Sequence, residues 1–531
     1  MSKEDNREKE SATAAAEEGG RDTGDVLVVN ASGHVQELDR NFGLFSICAL
    51  GIVAGNAWSA LAGSIVVSLY NGGPTGIVYE LIAVSMFYFL IAACIAELAS
   101  AIPSSAGVYH WASITPGPRW GLVCSWFAGW WNYFALLFGL ASTSAICGSQ
   151  IMSMYMLFHP DHTPESWQVF VIYIIVTWIC CACVLFANWL LPLLNRLGLM
   201  IVLGGAFVTI LVCAIMPSTK GSGYASDRSV WRDWQNQTGW SNDGFVFLAG
   251  MLNGAYAVGT PDQISHLAEE IPKPRVNLPK AIAAQALIGF ATSLCFLITI
   301  CYSINSFDAV LESDFPFPLA EIYYQATSSR GGALGLLLVI FFSMFTTLIG
   351  VYLIAGRMLW TLARDGATPF CGHLGRVSNT WKNPFNATVA CGVLSTLMGC
   401  IYVGSTTAFN AFVGSFVIFS TLSYLAALLP HLLVRRAYVT PGPFWMPGLV
   451  GTLILSISCA YIIIWNVIYL FPYFLPVTAK NMNYSVVIAG GLTLLVACWW
   501  LWKSKNGYRG PVLLHAESVV EDEHALHAED I

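Results

Sequence analysis

Apolar residues gather into twelve stretches separated by polar connections, near residues 43–69, 75–97, 119–150, 167–189, 193–216, 243–267, 280–304, 332–358, 386–404, 407–434, 446–472 and 482–502. A helix needs about 20 apolar residues to cross a hydrocarbon layer, with a usual range of ~17 to 25, so each stretch predicts one membrane span. The ninth is short, and the first and sixth are interrupted. In span 1, Gly51, Gly55, Asn56, Ser59, Gly63 and Ser64 break an otherwise apolar helix near mid-membrane, where small residues also serve close helix packing. In span 6, Gly254, Gly259, Pro261 and Asp262 fall where a simple membrane helix carries Leu and Val. A helix broken at that depth frees main-chain N–H and C=O groups that hydrocarbon cannot satisfy. The breaks must therefore face protein, water or a bound solute.

The interrupted spans head successive groups of five, spans 1–5 (43–216) and 6–10 (243–434). Because five is odd, the second group enters the membrane from the opposite side, which is the arrangement of an inverted repeat. Spans 11 and 12 (446–502) follow. The predicted fold is an all-α integral membrane protein of 12 transmembrane helices, a 5+5 inverted repeat plus two C-terminal helices, over residues 41–505.

Composition agrees: 56% of the chain is hydrophobic and 10% charged, against about 25% charged in ordinary soluble domains. Positive charge is retained on the cytoplasmic side of a membrane. With the N-terminus inside, Lys220, Arg228, Arg232, Arg330 and Lys480 fall outside and the rest of the 24 Lys and Arg inside, so both termini are predicted to be cytoplasmic. Residues 1–40 are too poor in large apolar side chains to fold alone and read as a disordered cytoplasmic tail. Residues 506–531 read as an acidic cytoplasmic tail, and the net charge of −7 reflects acids crowded into the two tails rather than a partner. Fourteen of the 15 cysteines, all but Cys371, lie in apolar spans and read as small buried hydrophobes. Cys180 and Cys183 lack the second pair a metal site needs, so no metal and no cofactor is predicted. Nothing suggests nucleic-acid binding, and no hydrolase, metalloprotease or phosphate-loop motif appears, so the chain is not read as an enzyme. The first apolar run is long enough to anchor, so no cleavable signal peptide is expected.

Charges at membrane depth cost about 2.5 to 3.5 kcal/mol each on insertion scales and need a reason. Glu80, a turn or so into span 2, either reaches interfacial water or attracts a cation or coupling ion. Asp262 either caps the helix resuming after the break or belongs to a solute or proton path. Glu97, Glu269, Glu270, Arg364 and Asp365 lie at the cytoplasmic ends of spans 2, 6 and 8, where they either form ion pairs that seal that side or merely fix topology. The loop 217–242 carries the sequon Asn236-Gln-Thr238, a glycosylation candidate on the outer side.

Several short motifs fall in a recognisable order. Glu97 ends span 2 and is followed by Pro103, Gly107 and Tyr109-His110-Trp111; His266-Leu-Ala-Glu269-Glu270-Ile-Pro272-Lys-Pro274 follows span 6; Gly356-Arg357-Met358 through Arg364-Asp365-Gly366 to Pro369 follows span 8. This set resembles the amino-acid/polyamine/organocation transporter superfamily. Asn71-Gly72-Gly73-Pro74, Pro441-Gly442-Pro443-Phe444-Trp445, and Pro476-Val477-Thr478 with Asn481-Met482-Asn483-Tyr484 resemble, more narrowly, the fungal amino-acid/choline permeases. The resemblance covers residues 35 to 510.

In that superfamily, solute lies between the unwound middles of the first and sixth helices, with the third, eighth and tenth closing around it. The resemblance thus implies contacts from Gly55, Asn56, Trp58 and Ser59 and from Asn253, Tyr256, Ala257 and Val258. Trp58 and Tyr256 offer faces for a cation or serve plain packing. The implied activity is secondary transport of a small nitrogenous solute by alternating access, coupled to protons, with choline or a related amine first. γ-Aminobutyrate or another amino acid, or a nitrogenous metabolite such as an alkaloid, are the alternatives. Another class of reading is a nutrient sensor that binds without flux, and the plasma membrane is favoured over the vacuole.

Overall fold

A computed structural model describes residues 44–219, 223–404, 408–479, 481–508 and 510–511. The predicted N-terminal tail 1–40, residues 512–531 of the acidic tail, and Lys220 and Lys480 of the charge pattern lie outside them. Spans 1 to 12 are the helices Leu44–Gly55 with Ala57–Gly63, Gly73–Ala101, Gly121–Met156, Ser166–Phe186, Leu191–Thr219, Asp243–Val258, Pro274–Ser303, Arg330–Arg364, Phe385–Gly404, Ala408–Leu433, Gly448–Ile468 and Ser485–Lys503. Among the described residues, ten are long and apolar enough to cross a membrane. The other two are span 6, cut to 16 residues by its break, and the short span 9, apolar over Phe385–Ile401.

Some ends differ from those predicted, for local reasons. Span 3 has 36 residues, about 54 Å at 1.5 Å per residue, so it overshoots a hydrocarbon layer of about 30 Å and continues past 150. Span 1 stops at Gly63, where Ser64 (φ −106°, ψ 11°) leaves helical geometry while its N–H still donates to Ala60 O (3.1 Å). Caps set other starts: the Asn242 side chain accepts from Phe245 N to open span 6 (3.1 Å), and Glu165 with Gln168 forms a reciprocal capping box at span 4.

The packing obeys the predicted two-fold relation, in which each span corresponds to the one five later. Span 1 packs on span 7 as span 6 packs on span 2; span 3 packs on span 10 as span 8 packs on span 5; span 3 packs on span 4 as span 8 packs on span 9. Spans 2 and 7, 3 and 8, and 4 and 9 pack on their own counterparts. Span 11 lies against spans 2 and 10, and span 12 against spans 3 and 10.

Span 3 has 89% of its apolar window buried, spans 1 and 10 have 78%, and span 12 has 17%. Interrupted span 1, with spans 3 and 10, thus sits inside a ring of other helices. Two short strands, β1 (Asn71–Gly72) and β2 (Gln235–Asn236), pair antiparallel with Asn71 opposite Asn236 and tie the end of span 1 to the loop before span 6.

Candidate functional site

The break in span 1 is a single residue. Asn56 (φ 12°, ψ 57°) leaves helical geometry, yet its N–H still donates to Ile52 O (2.8 Å) and its carbonyl accepts from Ala60 N (3.1 Å). Span 8 holds it: Asn56 Nδ2 donates to Ser343 O (3.2 Å), Ser343 Oγ (2.9 Å) and Thr347 Oγ1 (2.8 Å). Ser59 Oγ bonds the same Ser343 Oγ (2.9 Å), and Thr347 Oγ1 donates to Val53 O (2.8 Å). Trp58 turns the other way: its Nε1 donates to Val202 O of span 5 (3.1 Å) and its ring meets Phe296 of span 7 edge-on at 5.3 Å.

Span 6 is broken outright. Its α-helix ends at Val258, and after Gly259-Thr260-Pro261-Asp262 the chain resumes as a buried 3-10 stretch, Gln263–Glu270. Asp262 precedes that stretch but makes no cap bond to it, which corrects the capping alternative. Its carboxylate instead accepts from Asn132 Nδ2 of span 3 (2.7 Å) and from Tyr424 OH of span 10, and lies 3.5 Å from His266 Nε2. Tyr424 OH also reaches the freed Gly259 carbonyl (3.2 Å). Tyr256 OH bonds Ser142 Oγ of span 3 (2.8 Å), and its ring meets Phe416 of span 10 edge-on at 5.2 Å. Asn253 Oδ1 accepts from Ser64 Oγ, linking the two interrupted spans.

The breaks share a hollow. Gly55, Ala57, Ala257, Val258, Thr260 and Pro261 line a narrow cavity with Ser85 and Tyr88 of span 2 and Gln285 of span 7; it leaves about 20 Å³ for the centre of a water molecule. Gln285 Nε2 donates to Thr260 O (2.9 Å) and Oγ1 (3.0 Å). A Cβ at Gly55 would stand 2.5 Å from that nitrogen, and one at Gly51 2.3 Å from Ile264 Cδ1. Only glycine lets span 1 approach so closely. The hollow is too small for a choline-sized solute.

On the face where the predicted gating charges gather, Arg364 Nη2 lies 3.7 Å from Glu269 Oε1, which also accepts from Ser105 Oγ. Glu270 pairs with Arg357 (3.0 Å). Glu97 joins a separate group, accepting from Arg436 Nη2 (2.6 Å) and Met446 N (2.9 Å), with His431 at 3.8 Å. Asp365 interacts with Tyr109 and Tyr508. All the side chains in the three arginine–glutamate pairs are at most 9% exposed. Gly107 (φ 52°) lets the loop after span 2 fold onto the resumed end of span 6, because a Cβ there would stand 2.7 Å from Ser265 Oγ.

Glu80 does not reach interfacial water: it is 1% exposed, pressed on the main chain of Gly250 in span 6, and neither carboxyl oxygen has a hydrogen-bond partner. Asn236, half-buried, donates from Nδ2 to Trp240 O (2.8 Å) and Asp243 Oδ1 (2.9 Å) and accepts from Thr238 Oγ1 (2.7 Å), so its amide is committed to the loop. Sequence reasoning did not single out Asn132, Ser142, Gln285, Ser343, Thr347 or Tyr424, and it quoted Arg357 only within the motif after span 8. Gln285 and Asn132 were legible as amides inside apolar runs; the serines, threonines and tyrosines are ordinary in membrane helices and gave no signal.

Comparison with known proteins gives this constellation a setting. A sequence profile described as amino acid permease matches residues 42–492. The choline transporter of Saccharomyces cerevisiae is 31% identical over 507 residues, which covers 94% of this chain and 86% of that protein. The 7-keto 8-aminopelargonic acid transporter of the same yeast is 26% identical, with 85% of this chain and 90% of that protein covered. An amino-acid permease of Arabidopsis thaliana is 24% identical, with 90% and 95% covered.

Proposed function

Since this chain belongs to the amino acid permease family and is a multi-pass membrane transporter of small molecules, we propose that it carries choline or a related amine, coupled to protons, by alternating access. The observation that carries this reading is Asp262: a carboxylate buried at the break of span 6, beside the Tyr424 hydroxyl and the His266 ring. A quaternary ammonium has no N–H to donate, so it is held by charge and aromatic faces, each face contributing ~0.5 to 2 kcal/mol. The likeness to a choline transporter points the same way.

In the cycle proposed, the Glu269–Arg364 and Glu270–Arg357 pairs close the cytoplasmic side while the second half of span 1 moves to admit solute from outside. Span 1 hinges at Asn56, whose bonds to Ser343 and Thr347 hold it on span 8. Both termini lie in the cytoplasm, and the plasma membrane is the favoured site. A second reading is a zwitterionic amino acid, its amine at Asp262 and its carboxylate at main-chain N–H groups of the breaks. An uptake panel of amines and amino acids at two external pH values tests both. Choline accumulation that rises at the lower pH supports the proposal, and competition by γ-aminobutyrate but not choline selects the second reading. Binding without accumulation in liposomes would instead identify a sensor.

A further inference from the structure

Span 2 takes no part in the solute contacts that the resemblance implies, yet two of its hydroxyl residues border the hollow at the breaks. Ser85 and Tyr88 stand three residues apart, on one face of the helix. Both line that hollow together with Gly55 and Ala57 of span 1 and Thr260 and Pro261 of span 6. They are 1% and 3% exposed, and neither Ser85 Oγ nor Tyr88 OH has a hydrogen-bond partner. Buried hydroxyls are as a rule paired, and leaving one unpaired is costly, so two left so on one cavity call for a third group. Gln285 closes the hollow from span 7, but its amide is already committed: Nε2 donates to the Thr260 carbonyl, which can only accept.

The hollow also limits what the third group is. It leaves about 20 Å³, where one water needs ~10 to 15 Å³, so it holds one oxygen-sized group and not a trimethylammonium head. None of its described lining residues is charged, so an ammonium or a carboxylate placed there would be buried without a counter-charge. A hydroxyl meets both limits, because it donates to one neighbour while accepting from the other.

We propose that the hollow is a subsite for a solute hydroxyl, read by Ser85 and Tyr88, which makes the transported class a hydroxyl-bearing ammonium compound. This rests on the reading that the solute is choline or a related amine, and narrows it. The charge is held on another flank of the same break: the Asp262 carboxylate, one residue after Pro261, faces spans 3 and 10, whereas the hollow lies toward spans 2 and 7. Solute enters the hollow by its small end, and a solute lacking that end leaves two buried hydroxyls unpaired. Sites built to bond a substrate hydroxyl reject the analogue without it far more strongly than apolar pockets sort by size.

The test is competition against labelled choline uptake in liposomes by unlabelled choline and by ethyltrimethylammonium, the same cation without its oxygen. In the wild type, choline should compete at least about tenfold more strongly. Ser85→Ala and Tyr88→Phe remove one oxygen each and should bring that ratio to within about threefold, chiefly by weakening choline. A ratio taken within one protein does not depend on how much of it is present, and the wild-type ratio alone can refute the subsite whatever a variant does to folding. A wild type that accumulates choline yet is blocked equally by ethyltrimethylammonium overturns the subsite and leaves the choline reading intact. A preference that survives in both variants overturns the assignment to Ser85 and Tyr88. A wild type that accumulates no choline overturns the underlying reading, and the subsite falls with it.

Discussion

The two interrupted spans occupy corresponding places in the repeat but are broken differently. Span 1 loses one residue to non-helical geometry but keeps its main-chain bonds, and the Asn56 amide ties it to span 8. Span 6 loses its helix for four residues, Pro261 withholds an N–H, and a carboxylate stands in the opening. A neutral break that keeps its hydrogen bonds is suited to bending. A break whose carbonyls at Gly259 and Thr260 are held by side chains of other spans, with a buried charge beside them, is suited to binding. In the proposed cycle the pair divides the work, with span 1 as hinge and span 6 as the main ligand surface.

Asp262→Asn is the harshest challenge to that division. It keeps the shape and a bond to Tyr424 but removes the charge. Attraction between unit charges about 4 Å apart is worth ~1 to 4 kcal/mol across the range from water to a protein-surface dielectric, so labelled-choline uptake should fall roughly 10- to several-hundred-fold at unchanged surface abundance. Normal uptake would take the solute site away from span 6.

Closeness of the two breaks predicts the next effect. Gly55→Ala places a methyl group 2.5 Å from the Gln285 amide. Overpacking of this kind costs ~1 to 3 kcal/mol and should slow uptake about tenfold. Shortening the partner in Gly55→Ala/Gln285→Ala should restore most of the rate, because the clash is with a side chain. A double variant no faster than Gly55→Ala would show that the breaks do not move against each other there.

At the hinge itself, Asn56→Ala removes the bonds to Ser343 and Thr347. Neutral hydrogen bonds contribute ~0.5 to 1.5 kcal/mol each, so the purified protein should melt several degrees lower. Uptake should fall only a fewfold, with the concentration for half-maximal transport little changed. A large rise in that concentration would make Asn56 a ligand rather than a hinge.

How much of this was legible follows from what hydropathy reports. Span positions and both breaks were readable, because Gly-Asn and Gly-Thr-Pro-Asp are anomalous inside greasy helices. Depth in the bundle was not: span 5, mean hydropathy 2.7, has 28% of its window buried, while span 3, at 1.5, has 89% buried. Lipid demands a uniformly apolar surface, whereas a bundle interior accepts serine, asparagine and tyrosine that find partners. Among the ten helices long enough to cross, the least hydropathic is therefore the most buried. For the same reason Asn132, Ser343 and Tyr424 were missed, since their meaning lies in partners hundreds of residues away. Among the gating charges, Glu269 and Arg364 do meet, but Glu97 meets Arg436 instead, a pairing set by how the loop before span 11 folds back on span 2.

The subtlest contrast lies between two aromatic residues that sequence offered alike as cation faces, Trp58 and Tyr256. Both are buried at the breaks, but Trp58 points outward between spans 5 and 7, while Tyr256 points inward to Ser142 of span 3 and Phe416 of span 10. Trp58→Phe keeps a ring for Phe296 and gives up the bond to Val202, so it should lower stability by ~0.5 to 1.5 kcal/mol and leave half-saturation for choline within about twofold. Tyr256→Leu fills similar space without a π face, and losing a cation contact of ~0.5 to 2 kcal/mol should raise half-saturation roughly 2- to 30-fold. Measuring both by saturation uptake compares the breaks directly. If Trp58→Phe shifted choline affinity and Tyr256→Leu did not, solute would lie on the outer flank of span 1, and the roles assigned to the two spans would be exchanged.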